Sequence, residues 1–253
     1  MKVLGIIPAR YASTRFPGKA LCLIGGKAMI QRVFEQATQC NSLNRIIVAT
    51  DHEAIRKQVA SFGGVALMTS GNHRSGTERC AEAAEIMENN GDFFDIILNI
   101  QGDEPFIDPR QIEQVINCFL NPEVQIATLV KKILSQDELF NPNVVKVARS
   151  ISGQALFFSR SAIPYFRGNR QNAWINETNY YKHIGIYGFQ AAVLKKLVTL
   201  PSTPLENAES LEQLRWMEYA FPIHTQDTEF DSIGIDTPED LLKITNRNQE
   251  ISS

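Results

Sequence analysis

Apolar residues follow two rhythms through the first half of the chain. Short runs that are apolar on both faces begin at Val3 ("VLGII"), Arg45 ("RIIVATD"), Val65 ("VALMTS"), Phe93 ("FFDIILNIQGD") and Gln125 ("QIATLVKKI"). Segments of helical spacing alternate with them: "MIQRVFEQATQ" from Met29, "EAIRKQVASF" from Glu53, "ERCAEAAEIMEN" from Glu78 and "RQIEQVINCFL" from Arg110. Strands without a polar face belong inside parallel sheets, and their alternation with helices predicts βαβ units. The expected class is α/β, a mostly parallel Rossmann-like sheet flanked by helices.

From about Asn141 the rhythm changes. Two shorter β segments, "NVVKVAR" and "ALFFSR", precede the polar, aromatic-dotted "YFRGNRQNAWINETNYYK", which has no clear period and reads as a loop-rich arm or a smaller α+β subdomain. A strand "HIGIYGF" follows, then a helix "AAVLKKLVTL", a second helix opened at Thr203-Pro204, and a closing strand and helix around "SIGIDTPEDLLKI". Both Thr-Pro-x-Glu/Asp stretches predict capping boxes with proline at the first helical position. The expected organisation is one domain, with a core of roughly 1–135 and 223–253 and a subdomain of roughly 136–222.

Composition changes little in this picture. The 253 residues are 43% hydrophobic, enough for a sizeable core, and the net charge of -3 offers no general attraction to nucleic acid or an acidic membrane surface. Cys22, Cys40, Cys80 and Cys118 are far apart, with no C-x-x-C pair and no histidine at zinc-ligand spacing, which suggests a reducing cytoplasm. No apolar run reaches the ~20 residues of a membrane span, and the short run after Lys2 is no signal segment. A soluble, unprocessed chain is expected.

Ligands of open parallel sheets bind beyond the carboxyl ends of the strands, where strand order reverses, so the residues after each strand carry the chemistry. After the first run comes "PARYASTRFPGK". It brings Arg10, Arg15 and Lys19 together with Ser13 and Thr14, behind Pro8 and Ala9. Forked guanidiniums, a point-charge ammonium and backbone amides suit a polyphosphate, although a solvated basic turn is the other reading. Neither a P-loop nor a G-x-G-x-x-G pattern is present. Ser75 and Glu78 have capping-box spacing, and Gly76 lets a ligand approach the helix N-terminus that they open. In "NIQGDEP", Asn99, Gln101 and Asp103 share parity if the strand persists, and Asp103 with Glu104 offers hard oxygens for Mg2+. Asp236 stands beside the cap residue Thr237, where it can face the crevice. His183, Gly185 and Tyr187 share a strand face, with Gly185 expected to open a slot between the rings. Glu209, Gln213 and Trp216 fall on one side of the helix after Thr203, opposite Leu211, Leu214 and Met217.

The segments "IIPARYASTRFPGKAL", "HRSGTER", "NIQGDEPFI", "FNPNVVKV", "FFSRSAIP", "KHIGIYGF", "LEQLR" and "GIDTPEDL", in this order, closely resemble the 3-deoxy-manno-octulosonate cytidylyltransferase family over essentially the whole chain. Ala20 and Ala28 depart from it where proline is expected. The resemblance implies Mg2+-dependent transfer of CMP from CTP to an acidic eight-carbon sugar (Kdo), release of pyrophosphate, a cytoplasmic homodimer, and a role in lipopolysaccharide assembly. It implies two Mg2+ ions, one held by Asp103 and Asp236 and one by the CTP phosphates. Arg10, Arg15 and Lys19 would hold the triphosphate, with Pro8, Ala9, Ser13 and Thr14 around them. Ser75, Gly76, Arg79 and Gln101 would lie on the nucleotide side. Arg160, His183, Tyr187, Glu212 and Gln213, with Gln101, would face the sugar, Arg160 pairing with its carboxylate. Activation of a related sugar such as sialic acid or 8-amino-Kdo, or a silent nucleotide-binding regulator, are the alternatives.

Overall fold

The computed structural model describes residues 1–12, 16–168 and 170–242. The expected Ser13, Thr14 and Arg15 lie outside the described residues. The chain divides into two compact units, 1–113 with 232–253, and 114–231.

The first unit is built on a parallel sheet. It contains β1 (Val3–Ala9), the short β2 (Leu23–Ile24) and β3 (Lys27–Ala28), α1 (Met29–Ala37), β4 (Arg45–Thr50), α2 (Glu53–Ser61), β5 (Ala66–Met68), α3 (Gly76–Asn89), β6 (Ile96–Asn99) and the start of α4 (Pro109–Cys118). β1 pairs in parallel with β4 on one side, from Leu4 opposite Arg45 to Ala9 opposite Thr50, and with β6 on the other, from Val3 opposite Ile96 to Ile6 opposite Asn99. β5 extends the sheet beyond β4. Val3, Leu4, Ile6 and Ile7 are all at most 1% exposed, which is why this strand is apolar on both faces. Each such side chain contributes roughly 1.5–3 kcal/mol by leaving water. The chain moves from β1 to β4 to β5 and then crosses back to β6, so the order reverses between β1 and β6. That gap is the switch point where the loops after the two strands diverge.

The expected strand at "SIGID" does not form, and the last strand among the described residues ends at Asp227. Ile233 is 40% exposed while Ile235 is fully buried against Ile24 and Met29, with Phe16, Phe106 and Leu241 packed around them. This segment is therefore pinned at one apolar residue rather than along a ladder. The Ile235 amide donates to the Asp103 carbonyl at 2.9 Å, fixing the pin beside the β6 loop. A helical turn over 238–242 then starts as expected: Asp240 N–H donates to Thr237 Oγ1, and Thr237 N–H donates back to Asp240 Oδ2.

The second unit contains β7 (Ile126–Lys132), α5 (Gln136–Phe140), β8 (Lys146–Arg149), β9 (Ala155–Ser159), α6 (Trp174–Glu177), β10 (Tyr181–Gln190), α7 (Ala191–Leu197), α8 (Pro204–Glu209), α9 (Glu212–Glu218) and β11 (Ile223–Asp227). β7 lies between antiparallel β10 and parallel β11, while β8 and β9 form an antiparallel pair reaching β10 through Lys146 opposite Lys182. These ladders place β7 and β11 with β10, so the units divide near 113 and 231 rather than near the expected 135 and 223. The stretch expected to be a loop-rich arm is anchored. Trp174 and Tyr180, each at most 2% exposed, pack with Ile133 and Leu139 in a satellite core. The helix expected after Thr203 is two helices, because Ser210 sits at φ +52 between α8 and α9. At the start of α8 the Thr203 N–H donates to Glu206 Oε2 at 3.3 Å, the Glu206 half of the expected capping box.

The α/β class stands as expected. Among the described residues no helix is long and apolar enough to cross a membrane.

Candidate active site

The loops after β1 and β6 can approach only because residue 102 is glycine. A Cβ there would lie 2.5 Å from the Pro8 carbonyl oxygen. At Gly76, a Cβ would lie 3.2 Å from Pro8 and 3.5 Å from Asn99, so the N-terminus of α3 also comes against the end of β1. These three edges enclose a cavity of about 320 Å³. Its walls are Pro8, Ala9 and Arg10 from the β1 loop, Lys19 and Ala20, His73 to Gly76 with Arg79, Gln101 to Asp103, and Asp236. Ser75 caps α3 by accepting the Glu78 N–H at 3.2 Å. The N-terminus of this 14-residue helix therefore forms one wall of the cavity, a favourable place for an anion.

Opposite charges meet at the cavity floor. Lys19 opens a 3-10 turn (Lys19–Leu21) behind Gly18, whose φ of +69 glycine adopts without strain. Its Nζ lies 2.6 Å from Asp103 Oδ2 and 3.0 Å from Asp236 Oδ1. Burial works against the ammonium, but the charge and hydrogen bonds of Asp103, followed by those of Asp236, outweigh it and raise the Lys19 pKa above 10.5. The two aspartates, expected at the ends of two strands, meet by other means: Asp103 lies four residues past β6, and Asp236 is held by the Ile235 pin. β6 ends at Asn99, so the parity expected for Asn99, Gln101 and Asp103 does not apply. Of the adjacent carboxylates, only Asp103 lines the cavity. Glu104 is 8% exposed, and burial, with a smaller push from Asp103, raises its pKa to about 7.

Arg10 is exposed and lines the cavity. The Arg79 guanidinium is 3% exposed and turns to the protein, donating to Thr69 Oγ1 at 2.6 Å, to the Ser70 carbonyl at 3.2 Å and to Asp51 Oδ2 at 3.0 Å. Among the lining residues, sequence reasoning missed His73, whose Nε2 bonds the Glu82 carboxylate. Its only signal was its place two residues before the helix cap.

The sugar-side residues all lie in the second unit, Gln101 excepted. Between Ile184 opposite Leu129 and Tyr187 opposite Thr128, β10 carries two extra residues, and this bulge preserves parity. His183 and Tyr187 therefore do share a side. Their ring centroids are 5.1 Å apart, so the slot expected at Gly185 is closed by direct ring contact. The Thr128 oxygen sits within the bulge, 2.7 Å from the Ile186 carbonyl and 3.0 Å from His183 Nε2. Desolvation lowers the His183 pKa to about 4, leaving a neutral imidazole. Tyr187 is 6% exposed, its Oη has no hydrogen-bond partner among the described residues, and burial, then the nearby Glu212 charge, raises its pKa well above 10. Glu212 and Gln213 open α9, whose Trp216 packs edge-on to Tyr187 at 5.2 Å. Arg160 is tied down, donating to the carbonyls of Glu209 at 2.8 Å and Pro142 at 3.1 Å. Glu209, which reads in sequence as solvated, accepts from Ser159 Oγ and the Arg160 amide.

Among the described residues, no group of three or more His, Cys, Asp or Glu side chains converges as a metal site. Two carboxylates do converge on one cationic nitrogen, however, and two hard oxygens completed by substrate phosphates and water are the usual setting of Mg2+. The ammonium marks a point where positive charge is already favoured, so the donor set fits this ion.

A cytidylyltransferase family model matches residues 4–226. A 3-deoxy-manno-octulosonate cytidylyltransferase of Parabacteroides distasonis is 52% identical, covering 96% of each chain, and one of Cytophaga hutchinsonii is 46% identical, covering 97% of each. A solved CMP:2-keto-3-deoxy-manno-octonic acid synthetase complexed with CTP is 41% identical, covers 99% of each chain and superposes with a TM-score of 0.90. With this agreement over nearly the full length, the chain belongs to the cytidylyltransferase family, among the 3-deoxy-manno-octulosonate cytidylyltransferases.

Proposed function

We infer that this protein is a nucleotidyltransferase that moves CMP from CTP to 3-deoxy-manno-octulosonate, giving CMP-Kdo and pyrophosphate for lipopolysaccharide assembly. The observation that carries this reading is the meeting of Asp103, Asp236 and Lys19 in a cavity walled by a helix N-terminus, in a chain of this family. The anomeric hydroxyl oxygen attacks the α-phosphorus. A P–O bond forms, the bond to the β-phosphate breaks, pyrophosphate leaves, and the hydroxyl proton is released.

Arg10 and the first amides of α3, behind Ser75 and Gly76, bind the phosphates and offset the charge growing on the leaving group. Lys19 holds the two aspartates together in the free protein and carries its charge into the same space. Asp103 and Asp236 are the groups that would hold Mg2+, which when bound lowers the pKa of the sugar hydroxyl and neutralises phosphate charge. In a chain of this family the base site is read as fitting a pyrimidine, which favours CTP over ATP and GTP. On the sugar side, the unsatisfied Tyr187 hydroxyl donates to a sugar oxygen, and Glu212 and Gln213 at the start of α9 accept and donate beside it. Arg160, oriented by the Glu209 and Pro142 carbonyls, would be the cation for the sugar carboxylate, as the family resemblance implies. A homodimer in the cytoplasm, with a second Mg2+ on the CTP phosphates, completes the reading.

The test is pyrophosphate release with Mg2+ and Kdo, with CTP, ATP or GTP supplied separately. CTP alone should support rapid release, and release that depends on CTP but not on Kdo, or equal turnover with ATP, would contradict the reading.

A further inference from the structure

Tyr11 is the point at which the β1 loop is fastened, and three contacts fasten it. Its N–H donates to Asp51 Oδ1 at 3.3 Å, and its carbonyl accepts the Gly18 N–H at 2.9 Å. Its ring stacks on His52 with centroids 3.9 Å apart and an interplanar angle of 16°. The same ring lies 3.5 Å from where a Gly18 Cβ would stand. The bond from Gly18 closes the loop between residues 11 and 18. Arg10 therefore leaves one end of the closure and Lys19 the other, and both line the cavity.

Asp51 is itself held. Its second oxygen takes the charge-assisted bond from Arg79, which stands in the first turn of α3 and is buried on Thr69 and Ser70. The pair links the helix whose N-terminus lines the cavity to the loop whose cations face it. An unpaired carboxylate at this depth would be costly, and so would an unpaired Arg79, so the two fix each other's position.

We propose that Asp51 is a positioning residue: backed by Arg79, it holds Tyr11 so that Arg10 and Lys19 are presented to the nucleotide triphosphate, without touching the nucleotide itself. The proposal rests on the reading of this cavity as the CTP site. Because removing Asp51 alone would strand a buried guanidinium, the comparison is made in an Arg79→Met background, where any direct role of Arg79 cancels. In that background Asp51→Asn keeps an oxygen for the Tyr11 N–H and Asp51→Ala removes it.

Two measurements are made on the full chain. Limited trypsin cleavage within residues 10–19, after Arg10, Arg15 or Lys19, with no nucleotide present, should be at least about five-fold faster in the alanine variant than in the asparagine variant, with cleavage outside this stretch unchanged. The dissociation constant for CTP by calorimetry should be about ten-fold weaker in the alanine variant and restored to within about three-fold of the Arg79→Met parent by asparagine, while KM for Kdo stays level across the set. Equal cleavage of the two variants overturns the proposal, as does faster cleavage with unchanged CTP affinity, or an equal rise in both substrate constants. The cleavage arm reads the loop without nucleotide, so failure of the wild type to bind CTP counts against the proposed function, while the difference in cleavage still decides whether Asp51 holds the loop.

Discussion

Replacing Lys19 with methionine takes away the cation that now joins the two aspartates and leaves a side chain of similar length. The contact with Asp103 is 2.6 Å long between groups 17% and 29% exposed, so it falls within the range of about 1.5–3 kcal/mol for hydrogen bonds to charged groups. The contact with Asp236, 47% exposed, adds only about 0–1 kcal/mol. A divalent ion entering between these carboxylates must displace the ammonium, so the wild type forfeits roughly 2 kcal/mol on binding it. Lys19→Met should therefore bind a divalent ion about thirty-fold more tightly in the absence of nucleotide, even as turnover falls for want of Lys19's charge on the phosphates. Free Mn2+ followed by electron paramagnetic resonance measures this directly. Because the Lys19 pKa is raised, the wild-type affinity should also stay flat between about pH 7 and about pH 9. An unchanged or weakened affinity in the variant would show that ammonium and metal do not share the same oxygens.

Three further outcomes follow from particular contacts. Tyr187→Phe removes a buried hydroxyl with no partner among the described residues, so the melting temperature should hold or rise while KM for Kdo increases about ten-fold and that for CTP stays level; a loss of stability would assign the hydroxyl to the fold. Gly102→Ala forces a Cβ to within 2.5 Å of the Pro8 oxygen and should cost about 1–3 kcal/mol in urea unfolding together with most of the activity, and a neutral variant would show that the two loops separate easily. His183 binds its proton less readily folded than unfolded, so its contribution to stability is full above about pH 6.5 and is lost as the pH falls toward about 4. His183→Gln should flatten that acid limb, and an identical pH profile would refute the assignment.

The parallel half of the fold was legible because β1, β4 and β6 are buried on both faces over most of their length and the helices between them carry an apolar stripe, so periodicity separates them. The cavity edges could be read because the residues after a parallel strand face the ligand side whatever the strand's exact end. Asp236 lines the cavity for a different reason from the expected one. No strand carries it, and its position depends on Ile235 entering a small core with Ile24 and Met29, a contact across more than 200 residues that no local pattern announces. The break at Ser210 was hidden because a left-handed serine has no compositional signature, and the bulge in β10 because two extra residues leave the alternation of His183 and Tyr187 intact. His73 escaped attention because its contact with Glu82 depends on the turn that leads into α3, and Asp51 because its contacts, the Tyr11 amide and the Arg79 guanidinium, are distant in sequence.

If Asp103 and Asp236 serve a single cation, as the shared ammonium between them implies, losing either one should unseat the same ion. The direct measurement is kcat at saturating Mg2+ for Asp103→Asn, Asp236→Asn and the double variant, with thermal unfolding confirming that each is folded. Groups that act as a unit are strongly non-additive, so each single change should lower turnover by at least about a hundred-fold and the double variant should be little worse than either. Fully multiplicative losses, or an Asp236→Asn protein that keeps most of its activity, would contradict it.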